Sequence, residues 1–282
     1  MSNVDGAFLA SLSIRVWQGV TRDAEITETA AAEFEMRHGN LTAMKRLIPT
    51  HYLREVNAIA QLGRTQHYRF TVPGIVEGTR LLSVDLYETY LNTMRTIKAD
   101  FEQAVEGFVQ EFPLIVAAAP DELGRAFHEQ EYPTAAQIKS HFSLELKLLP
   151  VPDVQDWRIK GISSEDAEAV RAAATREVED MYQGAIKDLT TRAHSMLEKV
   201  HDQIKTFNPA HGGSKLKEPT IKALKEMAQL TVAMNVANDP HLKTLGEEMI
   251  SKFDALDATK LREDASRRTA LKDTIADIMG RL

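Results

Sequence analysis

From position 165 to position 207, apolar residues recur at 170, 174, 178, 181, 185, 189, 193, 196, 200, 204 and 207, and no proline interrupts them before Pro209. The mean step is about 3.7 residues, which is a helical period. A strict heptad would step by about 3.5 and wind into a left-handed supercoil, so this stripe suits a nearly straight helix. Ser163 and Asp166, three residues apart, form a capping pair that opens it. At ~1.5 Å per residue such a helix spans roughly 65 Å. A compact globule of 282 residues is only about 50 Å across. The helix is therefore expected to outrun a spherical fold and to lie antiparallel against a second long helix over 83–112. Met181, Tyr182 and Ile186, at its far end, are then expected to lack cover. Exposed apolar stripes mark association surfaces, so an elongated homo-oligomer or a grip on a partner is expected there.

A second feature breaks the helical pattern. His141 to Gly161 reads HFSLELKLLPVPDVQDWRIKG. Phe142, Leu144, Leu146 and Leu148 alternate with Ser143, Glu145 and Lys147, as a strand with one solvated face requires. Pro150 and Pro152 cannot donate to a ladder and should end it. Trp157 and Ile159 alternate again and suggest one more short strand. LSIRVW near the start and HYRFTVPG around Tyr68, Phe70 and Val72 alternate in the same way. A small sheet gathered from these distant segments is expected, with helices packed on one face or projecting from it.

Further helices are expected over Thr21–Arg37, ended near Gly39, and over Thr50–Leu62, closed by Gly63. The helical stripe that begins at Ser83 should kink or split at Pro113. Pro120 should open a separate short helix. Thr134 and Gln137 form a capping-box pattern. After the Gly/Pro/Lys-rich stretch NPAHGGSKLKEP, three helices are expected, with starts at Pro219, at Asp239–Pro240 and at Asp257. The fold class is thus mainly α with a small β-sheet. Four regions are expected: an α+β region over 1–162, the long helix over 163–207, a mobile linker over 208–218 and a helical region over 219–282.

Net charge is −7, with 34 basic against 41 acidic residues, which argues against broad coating of DNA phosphates. The absence of cysteine removes disulfides and thiolate metal sites and suits a reducing cytoplasm. The N-terminus lacks a basic segment before its apolar run, so no signal peptide is expected. No stretch reaches the ~18 apolar residues of a membrane span.

Sites of chemistry are scarce. No phosphate-binding loop, dinucleotide fingerprint, nucleophile elbow or His-Glu-x-x-His pattern occurs. Glu35-x-x-His38 and Glu198-x-x-His201 have di-metal spacing. With 24 Glu and nine His, about one such pair arises by chance, and Glu198 lies off the apolar stripe. No metal, no cofactor and no catalytic residue is therefore assigned. Lys260, Arg262, Arg267, Arg268 and Lys272 form either a phosphate-contacting face or a solvated helix face with internal charge pairs. That helix carries no aromatic side chain for base stacking. Trp17 and Trp157, the two tryptophans, read first as core and second as interface anchors. With Asp156, Arg158 and the Met181–Tyr182–Ile186 stripe they are the candidate binding residues.

The order LSIRVWQG, VPG with RLL, FEQAVEGFVQEFP, EYP, FSLELKLLPVPDVQDWRI, MNVANDPHL and LREDASRR resembles an uncharacterised family, domain of unknown function family 3150. The resemblance extends over nearly the whole chain and carries no catalytic residues with it. It implies a phage, prophage or plasmid origin and proximity to a MoxR-type AAA ATPase and a protein with a von Willebrand factor A domain. This chain lacks ATPase signatures, so it would be the adaptor, substrate or scaffold of such a set. The expected function is non-enzymatic binding of proteins in a bacterial cytoplasm. The alternatives are a nucleic-acid-binding accessory of phage replication or recombination, and an anti-defence protein that inhibits a host factor.

Overall fold

A computed structural model of the chain describes residues 6–37, 39–75, 78–151, 164–208 and 216–282. In chain order these form β1 (Ala7–Arg15), β2 (Val20–Asp23), α1 (Ala24–Glu33), β3 (Ala43–Arg46), α2 (Arg54–Phe70), β4 (Val72–Pro73), β5 (Arg80–Ser83) and α3 (Tyr87–Leu123). There follow α4 (Ala135–Ile138), β6 (Ser143–Pro150), α5 (Ser164–Lys205), α6 (Glu218–Ala233), α7 (Pro240–Phe253), α8 (Ala258–Glu263) and α9 (Ala265–Met279). The protein is mainly α, with a small sheet ordered β4-β5-β1-β6 and a separate β2-β3 ribbon. Two compact units divide the chain. One comprises Met1–Ser11, Tyr68–Tyr90 and Lys147–Leu282, and the other Leu12–His67 and Leu91–Leu146.

In the first unit, β1 and β5 pair antiparallel with Ala7 opposite Ser83 and Leu9 opposite Leu81. The two-residue β4 pairs on the outer side of β5. Its Pro73 is tolerated there because an edge strand has an N–H position to lose. Arg192 of α5 and Arg80 of β5 hold this edge. Arg192 donates to the carbonyl oxygens of Tyr68 (2.8 Å) and Thr71 (3.0 Å), at and just past the end of α2. Helix ends leave such carbonyls without partners, so the guanidinium replaces the missing turn. Arg80 donates to the Thr71 hydroxyl (2.7 Å) and carbonyl (2.9 Å) and stacks on the Tyr68 ring.

The core of this unit is helical. Ala193, Leu197, Val200 and Ile204 of α5 meet Ile221, Leu224 and Ala228 of α6, Phe253 of α7, and Leu271, Ile275 and Ile278 of α9. At Gly246 of α7 a Cβ would lie 2.5 Å from Val232 Cγ2 on α6, so only glycine permits this close crossing. Asp239 caps α7 by accepting from the Leu242 N–H at 2.7 Å, and Pro240 follows as the pre-set first residue. Asp257 caps α8 as expected, but that helix is only six residues long. Asp264 restarts the chain as α9 by accepting from Ser266 and Arg267.

Within this unit α5 packs on α6, α9 and β4. The helix over 83–112 that was expected as its antiparallel partner belongs for most of its length to the other unit. The stripe that was expected to lie uncovered is covered. Val178, Met181 and Ala185 are buried, and Tyr182 and Ile186 are half-buried.

The second unit is built on α2 and α3. A strand was expected at Tyr68–Val72, yet α2 runs on through Tyr68 to Phe70. Its buried positions explain why: Val56, Ala60, Gly63, His67 and Phe70 repeat at helical spacing. Three of them are small or polar, so a count of apolar residues misses the period. Gly63 does not end the helix. A Cβ there would lie 3.2 Å from Ile14 Cδ1 and 3.4 Å from Ile97 Cγ2, so the missing side chain lets its neighbours close in.

Likewise α3 is not split at Pro113, and Pro120 opens no separate helix. Loss of one hydrogen bond and a clash cost about 3 kcal/mol, but Phe112, Ile115 and Ala119 continue the buried stripe and offset it. The expected helix over Thr21–Arg37 begins instead as β2, which pairs with β3 from Val20 opposite Arg46 to Asp23 opposite Ala43. Asp23 then caps α1 through the Ile26 N–H at 2.9 Å. The Thr134–Gln137 capping box is present. Phe142, just before β6, and Leu144 within it are buried while Glu145 and Lys147 face solvent, as the alternation predicted. The first strand lies earlier than expected, over 7–15, and leaves Trp17 beyond its end.

Candidate functional site

The basic run near the C-terminus is largely committed to holding a corner. Arg268 donates to the carbonyls of Leu261 (2.8 Å) and Arg262 (2.9 Å), which closes the end of α8, and its guanidinium stacks 4.6 Å from the Phe207 ring centroid. Arg262 donates to the Leu216 carbonyl and to the Thr259 hydroxyl. Arg267 pairs with Asp264 at 3.3 Å. Lys260 is exposed and Lys272 half-buried. The carbonyl contacts reach across turns and loops, so spacing along one helix could not have revealed them.

In the second unit Lys45 shows the same economy in a buried place. Its side chain is 3% exposed. The ammonium lies 2.9 Å from Asp23, 2.8 Å from Glu131 and 2.6 Å from the Ala126 carbonyl, one partner for each N–H. Burial works against the charge, but the bonds to Glu131 and Asp23 outweigh it and hold the pKa above the usual lysine value. The Ile26 N–H and the Lys45 ammonium hold the Asp23 carboxyl below its usual range. Tyr132 donates to the Leu47 carbonyl at 2.7 Å beside this cluster. A lysine so saturated is a staple between β3 and the loop over 126–131. It offers no free lone pair for nucleophilic or base chemistry.

Trp17 is half-buried, with its ring edge-on to Phe112 at 5.6 Å and 6.3 Å from Phe108. Asp156, Trp157 and Arg158 lie outside the described residues, as does His38. Glu198 is exposed, off the buried face of α5. Among the described residues no three His, Asp or Glu side chains gather as metal ligands, and no helix is long and apolar enough to cross a membrane.

Two features of the described residues could act on something outside the chain. The first is apolar. Ile26, Phe34, Met36 and Met44 are all exposed, Phe34 at 72% and Met44 at 62%. They make four of the nine large apolar side chains that stand exposed among the described residues, and they fall within the nineteen residues from Ile26 on α1, through the α1–β3 connection, to Met44 on β3. The second is a cavity of about 450 Å³ in the first unit, bounded by Ala7, Ser83, Asp85, Tyr182, Asn238 and Lys243 among others. The end of the β1–β5 ladder and the α6–α7 turn line this space together with Tyr182. Burial pushes the Tyr182 phenol pKa upward, so the hydroxyl stays neutral. Tyr182 was legible as part of the helical stripe. Asp85 and Lys243, distant in sequence, carried no signal of their own.

No family model, no curated protein and no solved structure matches this chain.

Proposed function

We propose that this chain is a non-enzymatic protein-binding component, an adaptor or scaffold of phage or mobile-element origin. The observation that carries this reading is the concentration of exposed Ile26, Phe34, Met36 and Met44 along α1, the connection that follows it and β3. Scattered apolar side chains on a surface mean little, but a local group of them favours contact with another protein. The way in which charges are committed agrees with it. Lys45 and Arg268 are saturated by partners inside the chain and are not poised for chemistry. The same commitment of Arg262 and Arg268 leaves less of the basic run for a nucleic-acid backbone.

The partners to test first are those that the resemblance implies, a MoxR-type AAA ATPase and a von Willebrand factor A-domain protein. Pull-down from cells that carry the chain, with mass-spectrometric identification, is compared for wild type and for a Phe34→Glu, Met44→Glu double variant. Both side chains are exposed, so the melting temperature should hold. Recovery of the ATPase or the von Willebrand protein should fall by at least about ten-fold, as for a hot-spot residue. Equal recovery by wild type and variant would overturn the assignment to this surface.

A further inference from the structure

The cavity around Tyr182 differs from every other charged neighbourhood described above. Asp85 and Lys243 both line it and both are exposed. They do not pair with each other, and neither side chain has an ionic or hydrogen-bond partner among the described residues. The Tyr182 hydroxyl is likewise without a partner there. By contrast, Arg281 of the same unit pairs with Glu248 and Asp277. Here an aspartate and a lysine line one space of about 450 Å³ without pairing.

The walls are fixed in advance. Ser83 stands opposite Ala7 in the ladder, and the Val84 N–H donates to the Gly6 carbonyl at 2.8 Å. The buried Ser83 hydroxyl accepts from the Asp85 N–H at 3.3 Å, which sets the backbone that carries the carboxylate. On the other side the Asn235 side chain bonds both the carbonyl (2.8 Å) and the N–H (3.0 Å) of Asp239. Asn238 takes a left-handed φ of 51° inside that turn. The turn then feeds Asp239 and α7, on whose first turns Lys243 sits. A site held by backbone ladders and a doubly bonded turn loses little freedom when it is filled. The volume falls within the range of small-molecule pockets, about 300–1,000 Å³.

We propose that this cavity binds a small zwitterion of the free amino acid type, with its carboxylate at Lys243, its ammonium at Asp85 and the Tyr182 hydroxyl as a third contact. A simple anion would satisfy Lys243 and be repelled by Asp85. A simple cation would do the reverse. A zwitterion meets both charges at once, and a neutral phenol bonds to either end without adding charge. Val84, Val232 and Val236 supply the apolar part of the wall, which favours an aliphatic side chain.

The test uses the full chain, with L-valine and L-leucine as probes and isovalerate and isobutylamine as half-ligands that keep only one charge. Binding is read by titration calorimetry and by saturation-transfer NMR at millimolar ligand. The zwitterions should bind, and each half-ligand about five-fold more weakly, the scale of one exposed charge pair. In Asp85→Asn the carboxylate half-ligand should draw level with the zwitterion, and in Lys243→Gln the amine half-ligand should do so. A fold defect would weaken all ligands alike and could not exchange these preferences. Absence of binding by both amino acids, or binding that neither substitution changes, would overturn the proposal.

Discussion

Lys45 and Lys243 are the same residue type in opposite situations. Lys45 is buried in the β2–β3 ribbon and has a partner for each of its three N–H groups. Lys243 is exposed on α7, faces a cavity and has no partner among the described residues. Burying a charge costs several kcal/mol unless partners repay it, so a buried lysine persists only where the surrounding fold saturates it. An exposed lysine has water for a partner, and its freedom near an equally free carboxylate marks a place where a ligand can replace that water. The contrast separates charges that hold the fold together from charges that are open to a ligand.

Four substitutions probe that separation, and the largest effect should come from Lys45→Ala. It leaves the Asp23 carboxylate, 6% exposed, next to Glu131, 22% exposed, with no cation between them. Breaking a buried pair costs about 3–5 kcal/mol. Glu131 can rehydrate, which places this variant near the lower end, about 3 kcal/mol, measurable by urea unfolding. The pH dependence has a definite sign. The lowered Asp23 carboxyl contributes stability above the unfolded pKa of about 4 and loses it as pH falls through the folded value. The raised Lys45 pKa contributes below about 10.4 and loses it as pH rises through the folded value. Wild type should therefore lose stability at both extremes relative to Lys45→Ala, and parallel pH curves would show that the cluster is not ionised as described.

Gly246→Leu comes next. The new side chain would drive into Val232, which lines the cavity beside Lys243. Overpacking of this kind costs about 1–3 kcal/mol, and the displaced wall should abolish the calorimetric signal of L-leucine even at temperatures where the protein is folded. Arg268→Ala removes the donors to the Leu261 and Arg262 carbonyls and the stack on Phe207, a loss of about 1–2 kcal/mol in the same unfolding assay. The smallest effect belongs to Lys243→Ala, expected within about 0.5 kcal/mol of wild type, because an exposed charge without a partner contributes little to stability. A loss as large as that of Arg268→Ala would mean that Lys243 is structural, and the comparison would fail.

Some elements were legible in the sequence for local reasons. The limits of α5, the alternation of β6, the Thr134–Gln137 box and the Asp239–Pro240 start all rest on interactions within a few residues. The misread elements depend on distant partners. Tyr68 and Phe70 alternate with polar neighbours like strand residues, but the buried face of α2 is completed by Ala60, Gly63 and His67. Pro113 is a local signal to stop, and it was overruled by the burial of Phe112 and Ile115. The basic run was visible as composition, while its use on the carbonyls of Leu216, Leu261 and Arg262 needed the tertiary fold. The cavity was the least legible of all. Asp85 and Lys243 belong to no motif, and only the folded chain brings them to one space.

The division of the chain also sets an order of events during synthesis. Every residue of the Leu12–His67 and Leu91–Leu146 unit has been made once Leu146 is added. The other unit includes Met1–Ser11 at one end and needs residues up to Leu282 at the other. At ~5–20 residues per second, the two moments are separated by on the order of ten seconds. Through that interval the first half of β1 and its partner β5 have left the ribosome, while α5 and the helices after it are still being made. Nascent β1 and β5 thus wait with their apolar residues uncovered, and this pause is the stage of biogenesis most open to chaperones, to early partners and to aggregation.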